Sequence, residues 1–194
     1  MKVATTFVRR VVVLVRALED ATHDFPLAAD LHLLVLETHD LAAYRALHPE
    51  QDPAVARMRL AAGDRCFAIR AGDALVHATW ASTISGPLPY LDADVTLETG
   101  DVCLYDSYTL HAWRARDLSR SRDELCRDHY RATGMRRTIA LIARENVAGL
   151  RTTEPLGYRP IGEYGLLRVG PLRRRWITPY GADALPRLVA RRGR

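Results

Sequence analysis

The stretch that decides the fold of this chain covers residues 105–118 and reads Tyr105-Asp106-Ser107-Tyr108-Thr109-Leu110-His111-Ala112-Trp113-Arg114-Ala115-Arg116-Asp117-Leu118. It predicts a strand that ends near Thr109, then a loop that carries arginines, then a helix that begins within a few residues. The N-terminus of such a helix is an anion site, because free backbone N–H groups and the helix dipole both point at the ligand. Arg114 and Arg116 add full positive charge, so the segment predicts a site for an anionic group.

Length and composition indicate one well-cored globular domain. The chain has 194 residues, of which 48% are hydrophobic and 26% charged. That length supports one sizeable core and is short for two. We predict a single domain over residues 1–176 and a basic extension over residues 177–194, where the chain becomes rich in proline and arginine.

The charge balance favours an anionic small ligand over nucleic acid. The formal net charge is +5, which draws anions toward the protein. The basic residues are almost all arginine, and no known nucleic-acid motif accompanies them, so a nucleic-acid partner is not expected.

Cysteine and histidine placement argues against disulfides and metals. Cys66, Cys103 and Cys126 form neither a CxxC pair nor an even-numbered framework, which is typical of reduced thiols in the cytoplasm. The histidines lack HxH or HExxH spacing, so no metal site is predicted. The apolar run at residues 11–15 is far too short to cross a bilayer, and no signal-peptide cleavage site follows it. We therefore expect a cytoplasmic protein that works without a membrane or a metal.

The first half of the chain predicts a strand, helices and a meander. Residues 11–15 form a β-branched run typical of a buried strand. The later elements that the patterns predict are a long helix or two short ones over residues 27–47, a helix over 53–62 capped by Asp52, strands over 66–69 and 75–81 joined by a turn at Gly72, an irregular surface loop over 87–98, and a strand over 102–109.

The second half predicts a crossover connection. Its expected elements are a helix over residues 118–133 ending at Gly134, an apolar central strand over 138–143, a short helix over 147–154, and strands over 161–164 and 166–169. The strands that flank the long helix should be parallel and joined by a right-handed crossover. The complete order predicts an α+β fold, a mixed sheet with helices on both faces.

The start of the long helix is open between two alternatives. Asp117 and Ser119 are both good N-cap residues, whereas Ser121 and Glu124 have the spacing of a capping box. A start at Ser121 would move the free N–H groups about one turn downstream and displace the anion site.

This order of elements, and the residues at its joints, resemble the GNAT family of acyl-CoA-dependent N-acyltransferases from about residue 11 to residue 169. The family shows Arg/Gln-x-x-Gly-x-Gly/Ala after its fourth strand, and Arg114-Ala115-Arg116-Asp117-Leu118-Ser119 occupies that frame here. A second family motif runs from an Asn that opens a short helix to a Gly and an aromatic eleven residues on, matched by Asn146 and Gly157-Tyr158.

The resemblance implies a GNAT-like fold and an acyl-CoA cosubstrate, most simply acetyl-CoA. The implied fold is a central mixed, mostly antiparallel sheet with a splayed parallel strand pair and helices on both faces. A pantetheine arm would pair with the open strand edge, and its pyrophosphate would lie against the arginine loop. The implied cofactor-binding residues are Thr109, Leu110, Arg114, Ala115, Arg116, Asp117, Leu118, Ser119 and Asn146.

The implied reaction is direct transfer of an acetyl or short acyl group to a primary amine of a small molecule. A backbone N–H near Tyr108 or Thr109 would stabilise the oxyanion, and Asp106 and Tyr108 are the catalytic candidates for handling the amine proton. In a regular strand they share one face, while Tyr105 and Ser107 share the other. Asp106 has an alternative role as a strand-end carboxylate bound to an arginine. His77 and Trp80 on the facing strand could line an acceptor pocket or belong to the core.

Several positions depart from the family pattern. Asp117 and Ser119 stand where the family favours small residues, mostly glycine, and His111 stands where it often has proline. Thr153 occupies a position where many members carry a tyrosine that protonates the leaving thiolate. These departures support a second hypothesis, a catalytically degenerate GNAT-like domain that acts as a CoA- or ligand-binding or interaction module. For either function we expect a monomer or a homodimer.

Overall fold

A computed structural model describes residues 6–20 and 25–191. Residues 1–5, 21–24 and 192–194, which belong to the predicted domain and extension, lie outside the described residues. The strands are β1 (Thr6–Ala17), β2 (Leu31–Val35), β3 (Arg65–Ala71), β4 (Ala74–Ser82), β5 (Ser85–Leu88), β6 (Ala93–Thr96), β7 (Asp101–Thr109), β8 (Arg137–Ala143), β9 (Arg159–Val169), β10 (Leu172–Pro179) and β11 (Arg187–Ala190). The α-helices are α1 (Leu41–Leu47), α2 (Pro53–Ala61), α3 (Leu118–Ala132) and α4 (Val147–Thr153). None of the helices within these ranges is long and apolar enough to cross a membrane.

Eight strands form the central sheet in the order β10-β9-β1-β8-β7-β4-β3-β2. Every neighbouring pair is antiparallel except β7 and β8, which are parallel and are connected through α3. Helices α1 and α2 pack on one face, against Trp80 and Ala78, while α3 packs on the other, against Phe67 and Ala81. This arrangement confirms the predicted α+β fold with helices on both faces.

The N-terminal strand β1 lies in the middle of the sheet, between β8 and β9. Val11, Val13 and Val15 pack on one face, and Val12 and Leu14 pack on the other, so the strand is buried on both sides. A β-branched run fits such a position because its side chains fill both faces of the pleat. The strand predicted over residues 11–15 is confirmed and is longer than expected.

The helix predicted to start at residue 27 is wrong in its first half. Leu31–Val35 is an edge strand, paired antiparallel with β3, and the helix that follows covers only Leu41–Leu47. A short run of leucines fits either a helix or a strand by periodicity alone. The free edge of β3, more than thirty residues away along the chain, decides in favour of the strand.

The surface loop predicted over residues 87–98 is also wrong. This segment forms the hairpin of β5 and β6, and β6 pairs with the C-terminal strand β11 in a separate three-stranded sheet. Leu88, Leu91, Ala93 and Val95 are buried against the face that β1 and β9 present. The hairpin is stabilised by residues about a hundred positions away, so its local composition did not reveal it.

The C-terminal part of the chain adds strands to both sheets. Residues 161–164 and 166–169, which the patterns separated, belong to one continuous strand, β9, with Gly165 in its middle. A Cβ atom at Gly165 would lie 2.0 Å from the ring of Trp176 on β10, so glycine there lets the tryptophan lie flat on the sheet. Strand β10 extends to Pro179, and Arg191, just after β11, contacts Asp94 on β6.

Candidate functional site

The two parallel strands separate partway along their length. Their pairing runs from Asp101 with Arg137 to Leu104 with Ala140. Beyond that point β7 continues along β4 as far as Thr109, while β8 continues along β1. Because each strand follows a different neighbour, a gap opens between them, as the predicted splay requires.

A β-bulge at Asp106 marks the start of the gap. Asp106 has a φ of 50°, and the register between β4 and β7 shifts at the same place. The bulge breaks the regular alternation, so Tyr105 and Tyr108 both pack on the face of Trp80. Ser107 instead contacts Thr79 on the opposite face, with 2.5 Å between the two hydroxyl oxygens. The prediction that Tyr105 and Ser107 share a face is therefore wrong.

Two neighbouring cavities occupy the gap. The first, of about 350 Å³, lies between the ends of β7 and β8 and helices α3 and α4. The second, of about 500 Å³, lies beside the arginine loop that leads into α3. Both are lined by Ser107, Ser119, Asn146, Gly149 and Thr152. The shared walls make the pair one elongated cleft that runs from the strand gap to the helix N-terminus.

The loop at the second cavity has an unusual backbone. Ala115 and Asp117 have φ values of 60° and 54°, in the left-handed region that glycine adopts most easily. Asp117, at the position where the resemblance places a glycine, therefore adopts a left-handed conformation. Its carboxylate makes no cap hydrogen bond and instead lies 2.9 Å from Arg120.

Helix α3 starts at Leu118, so the alternative start at Ser121 is wrong. Ser121 is buried in the helix, and its hydroxyl donates to the Phe25 carbonyl. Within residues 6–20 and 25–191, no acceptor is hydrogen-bonded to the backbone N–H groups of residues 115–119. Residues 115–119 line the second cavity, at the helix N-terminus where the sequence predicts an anion site.

Two guanidinium groups stand at the rim of this cavity. The Arg114 Nε–H donates to the Thr109 carbonyl over 3.4 Å, and the Arg116 guanidinium lies 4.6 Å from the ring centre of Trp113. Both side chains are exposed and line the cavity. The aromatic contact holds Arg116 in place without using its N–H donors, which leaves them free for an anion.

The remaining predicted cofactor-binding residues divide into two groups. Thr109, Ala115, Asp117, Leu118, Ser119 and Asn146 line the second cavity, as do Arg114 and Arg116. Leu110 does not line either cavity: its backbone N–H donates to the Val76 carbonyl, and its side chain packs against the core.

Asn146 opens α4 and lines both cavities. Its side-chain oxygen accepts a hydrogen bond from the Gly149 N–H at 3.0 Å, which caps the helix. A Cβ atom at Gly149 would lie 2.7 Å from the Asn146 amide nitrogen, so this glycine lets the cap fold back. Sequence reasoning did not single out Gly149, although a glycine three residues after a cap Asn was a visible feature.

The two predicted catalytic residues, Asp106 and Tyr108, lie on the face of the sheet that Trp80 occupies. The Asp106 carboxylate lies 2.5 Å from Arg59 and accepts from Gln51 at 2.6 Å. The Arg59 guanidinium also lies over the rings of Trp80 and Tyr105, at 5.1 and 5.0 Å. Asp106 lines the first cavity with this ion pair already formed, which is the alternative role considered for it.

Tyr108 lines the second cavity and stacks on His48, with 4.3 Å between the ring centres. Trp80 is fully buried, and its indole N–H donates to the Tyr44 hydroxyl at 2.8 Å. Trp80 therefore belongs to the core beneath the site and does not line either cavity.

Thr153 and Tyr158 both line the first cavity. The Thr153 hydroxyl donates to the Leu150 carbonyl at 2.8 Å. The Tyr158 hydroxyl lies 3.2 Å from Asp123, and burial together with that carboxylate raises the pKa of Tyr158 well above its usual value. Tyr158 therefore stays protonated and acts as a hydrogen-bond donor at the floor of the cavity.

Helix α3 contributes charged residues that sequence reasoning missed. Arg122 and Asp123 line the first cavity although each is only 5% exposed, and their side chains are 2.9 Å apart. Arg16 on β1 lies 3.6 Å from Asp123 and 2.7 Å from Glu124. Burial raises the pKa of Asp123, and the two guanidinium groups oppose that rise. No periodic pattern distinguished these charges from a solvated helix face.

His77 is fully buried between β7 and α3 and does not line either cavity. Its Nδ1 lies 2.7 Å from the Thr109 hydroxyl oxygen, and its Nε2 accepts from the Arg122 Nε–H at 3.3 Å. Burial and the Arg122 charge lower the pKa of His77 well below 6.5. The imidazole is therefore neutral in the folded protein.

Because His77 is neutral in the folded protein, the free energy of unfolding should depend on pH in a way that this residue determines. The unfolded chain protonates this histidine near its ordinary pKa of about 6.5, whereas the folded chain does not. As the pH falls below about 6.5, the free energy of unfolding should fall by up to about 1.4 kcal/mol per pH unit from this residue, until the lowered folded-state pKa is reached. The slope measured by urea denaturation between pH 7.5 and 5 should be smaller in His77→Asn. Exposed His111→Asn is the control, and an unchanged slope in His77→Asn would contradict the assignment.

No protein-family model and no curated protein matches this sequence. Among the described residues, no group of three His, Cys, Asp or Glu side chains is arranged to hold a metal ion.

Several solved structures with a similar fold are N-acetyltransferases. The ribosomal-protein-S18-alanine N-acetyltransferase of Escherichia coli aligns with 66% of this chain and 77% of its own length, at a TM-score of 0.52 and 14% identity. An acetyltransferase assigned to the GNAT family from Novosphingobium aromaticivorans aligns with 86% of this chain and 67% of its own, at a TM-score of 0.60 and 12% identity.

A third structure, AAC(6')-Iy, was solved in complex with the bisubstrate analogue CoA-S-monomethyl-acetylneamine. It aligns with 66% of this chain and 90% of its own length, at a TM-score of 0.51 and 15% identity. These likenesses, together with the parallel pair β7–β8 in a mostly antiparallel sheet, confirm the resemblance at the level of the fold: the chain has the fold of the GNAT N-acetyltransferases.

Proposed function

We propose that this protein transfers an acetyl or short acyl group from acyl-CoA to a primary amine of a small molecule by direct transfer. The observation that carries the proposal is the cleft between β7 and β8, which leads from unpaired strand edges to free N–H groups and two arginines. The strand edges can pair with the amides of an extended ligand, and the N–H groups and arginines can bind phosphates at its other end.

The second cavity would hold the phosphates. The free N–H groups of residues 115–119 supply directional donors, and Arg114 and Arg116 supply charge. Ala115 and Asp117 have positive φ values, and backbone turns of this kind can form a concave set of N–H groups that binds an anion. The residues present therefore fit a pyrophosphate despite the missing glycines.

The first cavity would hold the pantetheine arm and bring the thioester to the bulge. The amine nitrogen attacks the thioester carbonyl carbon, a backbone N–H of the bulged strand stabilises the oxyanion, and the C–S bond then breaks. Asp106 is one of two carboxylates that line this cavity, the other being the buried Asp123, and it would accept the amine proton, directly or through a water, with Tyr108 next to it. The thiolate leaves without an acid at Thr153, since a thiol has a pKa of about 8.5.

The proposal also covers the limits of the catalytic domain, the cellular compartment and the amine acceptor. We assign the activity to a domain of residues 1–176, with residues 177–194 as an extension that adds the end of β10 and strand β11 to its sheets. We expect a cytoplasmic enzyme, monomeric or homodimeric, that uses acetyl-CoA and no metal. AAC(6')-Iy, with its neamine-based bisubstrate ligand, and the E. coli S18-alanine acetyltransferase show that this fold serves both small-molecule and protein amines.

Calorimetric titration with CoA, followed by thiol release from acetyl-CoA across a panel of small primary amines, tests the proposal. Binding and amine-dependent thiol release are expected. Binding without release for any amine would favour the degenerate binding module, which Asp117 and Thr153 motivate. No heat and no thermal stabilisation at millimolar CoA would contradict the acyltransferase function and a CoA-binding module alike, and would leave only a module that binds another ligand or partner.

Asp117 should weaken CoA binding through its charge. Asp117→Asn keeps a residue that tolerates positive φ but removes the charge, so we expect an affinity gain of about fivefold, equivalent to about 1 kcal/mol. Asp117→Gly should gain at least as much. Calorimetry with CoA measures both variants, and Asp128→Asn, an exposed acid on α3 outside both cavities, is the control. A weaker affinity in Asp117→Asn would show that the carboxylate helps the site, through Arg120.

A further inference from the structure

A buried chain of three polar side chains connects α3 to the end of β7. Arg122 is 5% exposed and His77 is 0% exposed, and they meet over 3.3 Å between Nε and Nε2. His77 and Thr109 are a cross-strand pair, with 2.7 Å between Nδ1 and the hydroxyl oxygen. Thr109 in turn lines the second cavity.

The donors in this chain follow from chemistry alone. An arginine Nε–H can only donate, so the His77 Nε2 that faces it must be an unprotonated acceptor. A neutral imidazole carries its single proton on the other nitrogen, so Nδ1 is protonated and donates to the Thr109 oxygen. The Thr79 hydroxyl, 3.5 Å from Nε2, agrees with an acceptor at that position.

These hydrogen bonds leave the Thr109 hydroxyl free to donate one hydrogen bond. Its oxygen already accepts from His77, so its own proton is available to donate. Within residues 6–20 and 25–191, no other group is hydrogen-bonded to this hydroxyl. Thr109 lines the second cavity together with Arg114 and Ser119, so a ligand oxygen in that cavity is the acceptor to which this proton could be donated.

We propose that Arg122 and His77 are positioning residues that fix Thr109 as a hydrogen-bond donor to an oxygen of bound CoA. This inference rests on the proposed acyl-CoA function. In the opposite tautomer, with Nε2 protonated, Thr109 would donate to His77 and present only an acceptor, which would repel a phosphate or carbonyl oxygen. The arginine thus selects the state of a hydroxyl two residues removed from it along the hydrogen-bond chain.

Because His77 is buried, its tautomer should not change with pH. The lowered pKa of His77 keeps the ring neutral through the physiological range, so Thr109 keeps its donor role. A buried histidine and arginine are costly in a core position unless their hydrogen bonds are satisfied, and this chain satisfies them while serving the cavity.

The tautomer is tested first, on the ligand-free protein. Two-bond ¹⁵N–¹H correlation spectra of histidine-labelled protein report which ring nitrogen carries the proton, and His77→Asn assigns the signal. We expect a neutral His77 protonated at Nδ1 from pH 6 to 8. A His77 protonated at Nε2, or at both nitrogens, overturns the inference and leaves the proposed function standing.

CoA binding is tested next by calorimetry. Thr109→Val should raise the dissociation constant about three- to tenfold, and Thr109→Ser, which keeps the hydroxyl, should stay within about twofold of wild type. Thr133→Val is the matched control, because it removes a hydroxyl bonded at the end of α3, outside both cavities. An unchanged dissociation constant in Thr109→Val overturns the inference, and a wild-type protein that binds no CoA overturns the proposed function with it.

The positioning role predicts non-additive effects. His77→Leu should weaken CoA binding as Thr109→Val does, and the double variant should be no weaker than either single one. His77→Asn keeps an N–H donor near the Nδ1 position and should restore most of the affinity. Titration with ADP locates the oxygen: an equal loss for ADP in Thr109→Val places it on the pyrophosphate, and a loss for CoA alone places it on the pantetheine. Additive losses in the double variant would overturn the positioning role.

Discussion

Replacing both Arg114 and Arg116 with alanine is expected to raise the dissociation constant for CoA by about two orders of magnitude. Both guanidinium groups line the second cavity beside N–H groups that have no acceptor among the described residues. A charge-assisted hydrogen bond to phosphate contributes about 1.5 kcal/mol or more, which is about tenfold for each arginine. Calorimetric titration of the folded double variant with CoA measures the loss.

The matched control is Arg131→Ala, since Arg131 is an exposed arginine on the last turn of α3 and lines neither cavity. Arg131→Ala removes one positive charge and the double variant removes two, so a loss in the double variant beyond twice the free-energy effect of the control isolates position from net charge. The affinity of the wild type should also fall more steeply with salt than that of the double variant, because two charge contacts have been removed. Equal affinities of the double variant and the control would place the phosphates elsewhere.

The second large effect is on stability. Asp123→Ala is expected to lower the free energy of unfolding by about 3–5 kcal/mol, because it leaves Arg122 and Arg16 buried without their shared carboxylate. It also removes the acceptor of the Tyr158 hydroxyl. Chemical denaturation followed by circular dichroism measures the change at neutral pH.

Asp128→Ala is the control for this variant. Asp128 lies on the same helix and contacts Arg127, but its side chain is 63% exposed, so its removal should cost less than about 0.5 kcal/mol. Asp123→Asn should fall between the two, since it keeps hydrogen-bond acceptors and loses the charge. A loss below 1 kcal/mol in Asp123→Ala would show that the buried charges rearrange to compensate one another.

Local chemistry predicted the elements that form the site. The Asp52 side chain caps α2 and accepts from the Ala54 N–H at 2.9 Å, as the Asp-Pro pattern indicates. Gly72 makes the turn between β3 and β4, and Gly134 ends α3, both at positive φ. The apolar run of β8 and the arginine loop before α3 also lie where the sequence placed them. Each of these features depends on residues within about one turn of one another.

Long-range pairing decided the elements that sequence reasoning missed. Leu31–Val35 became a strand because the edge of β3 was free, and the β5–β6 hairpin formed because β11 and the apolar face of β1 and β9 cover it. Short apolar segments fit more than one backbone conformation, and the partner that buries them selects one.

The sequence by itself determined the buried strands β1 and β8, the helices α2 and α3, and the position of the arginine loop before α3, since these follow from backbone preferences and periodicity. Only the tertiary structure decided that the bulge at Asp106 turns Tyr105 and Tyr108 to one face and that Asp106 pairs with Arg59. It also placed His77 between Arg122 and Thr109. Those contacts join residues that lie about thirty to fifty positions apart, and their geometry depends on how the sheet and helices pack, which no local pattern encodes.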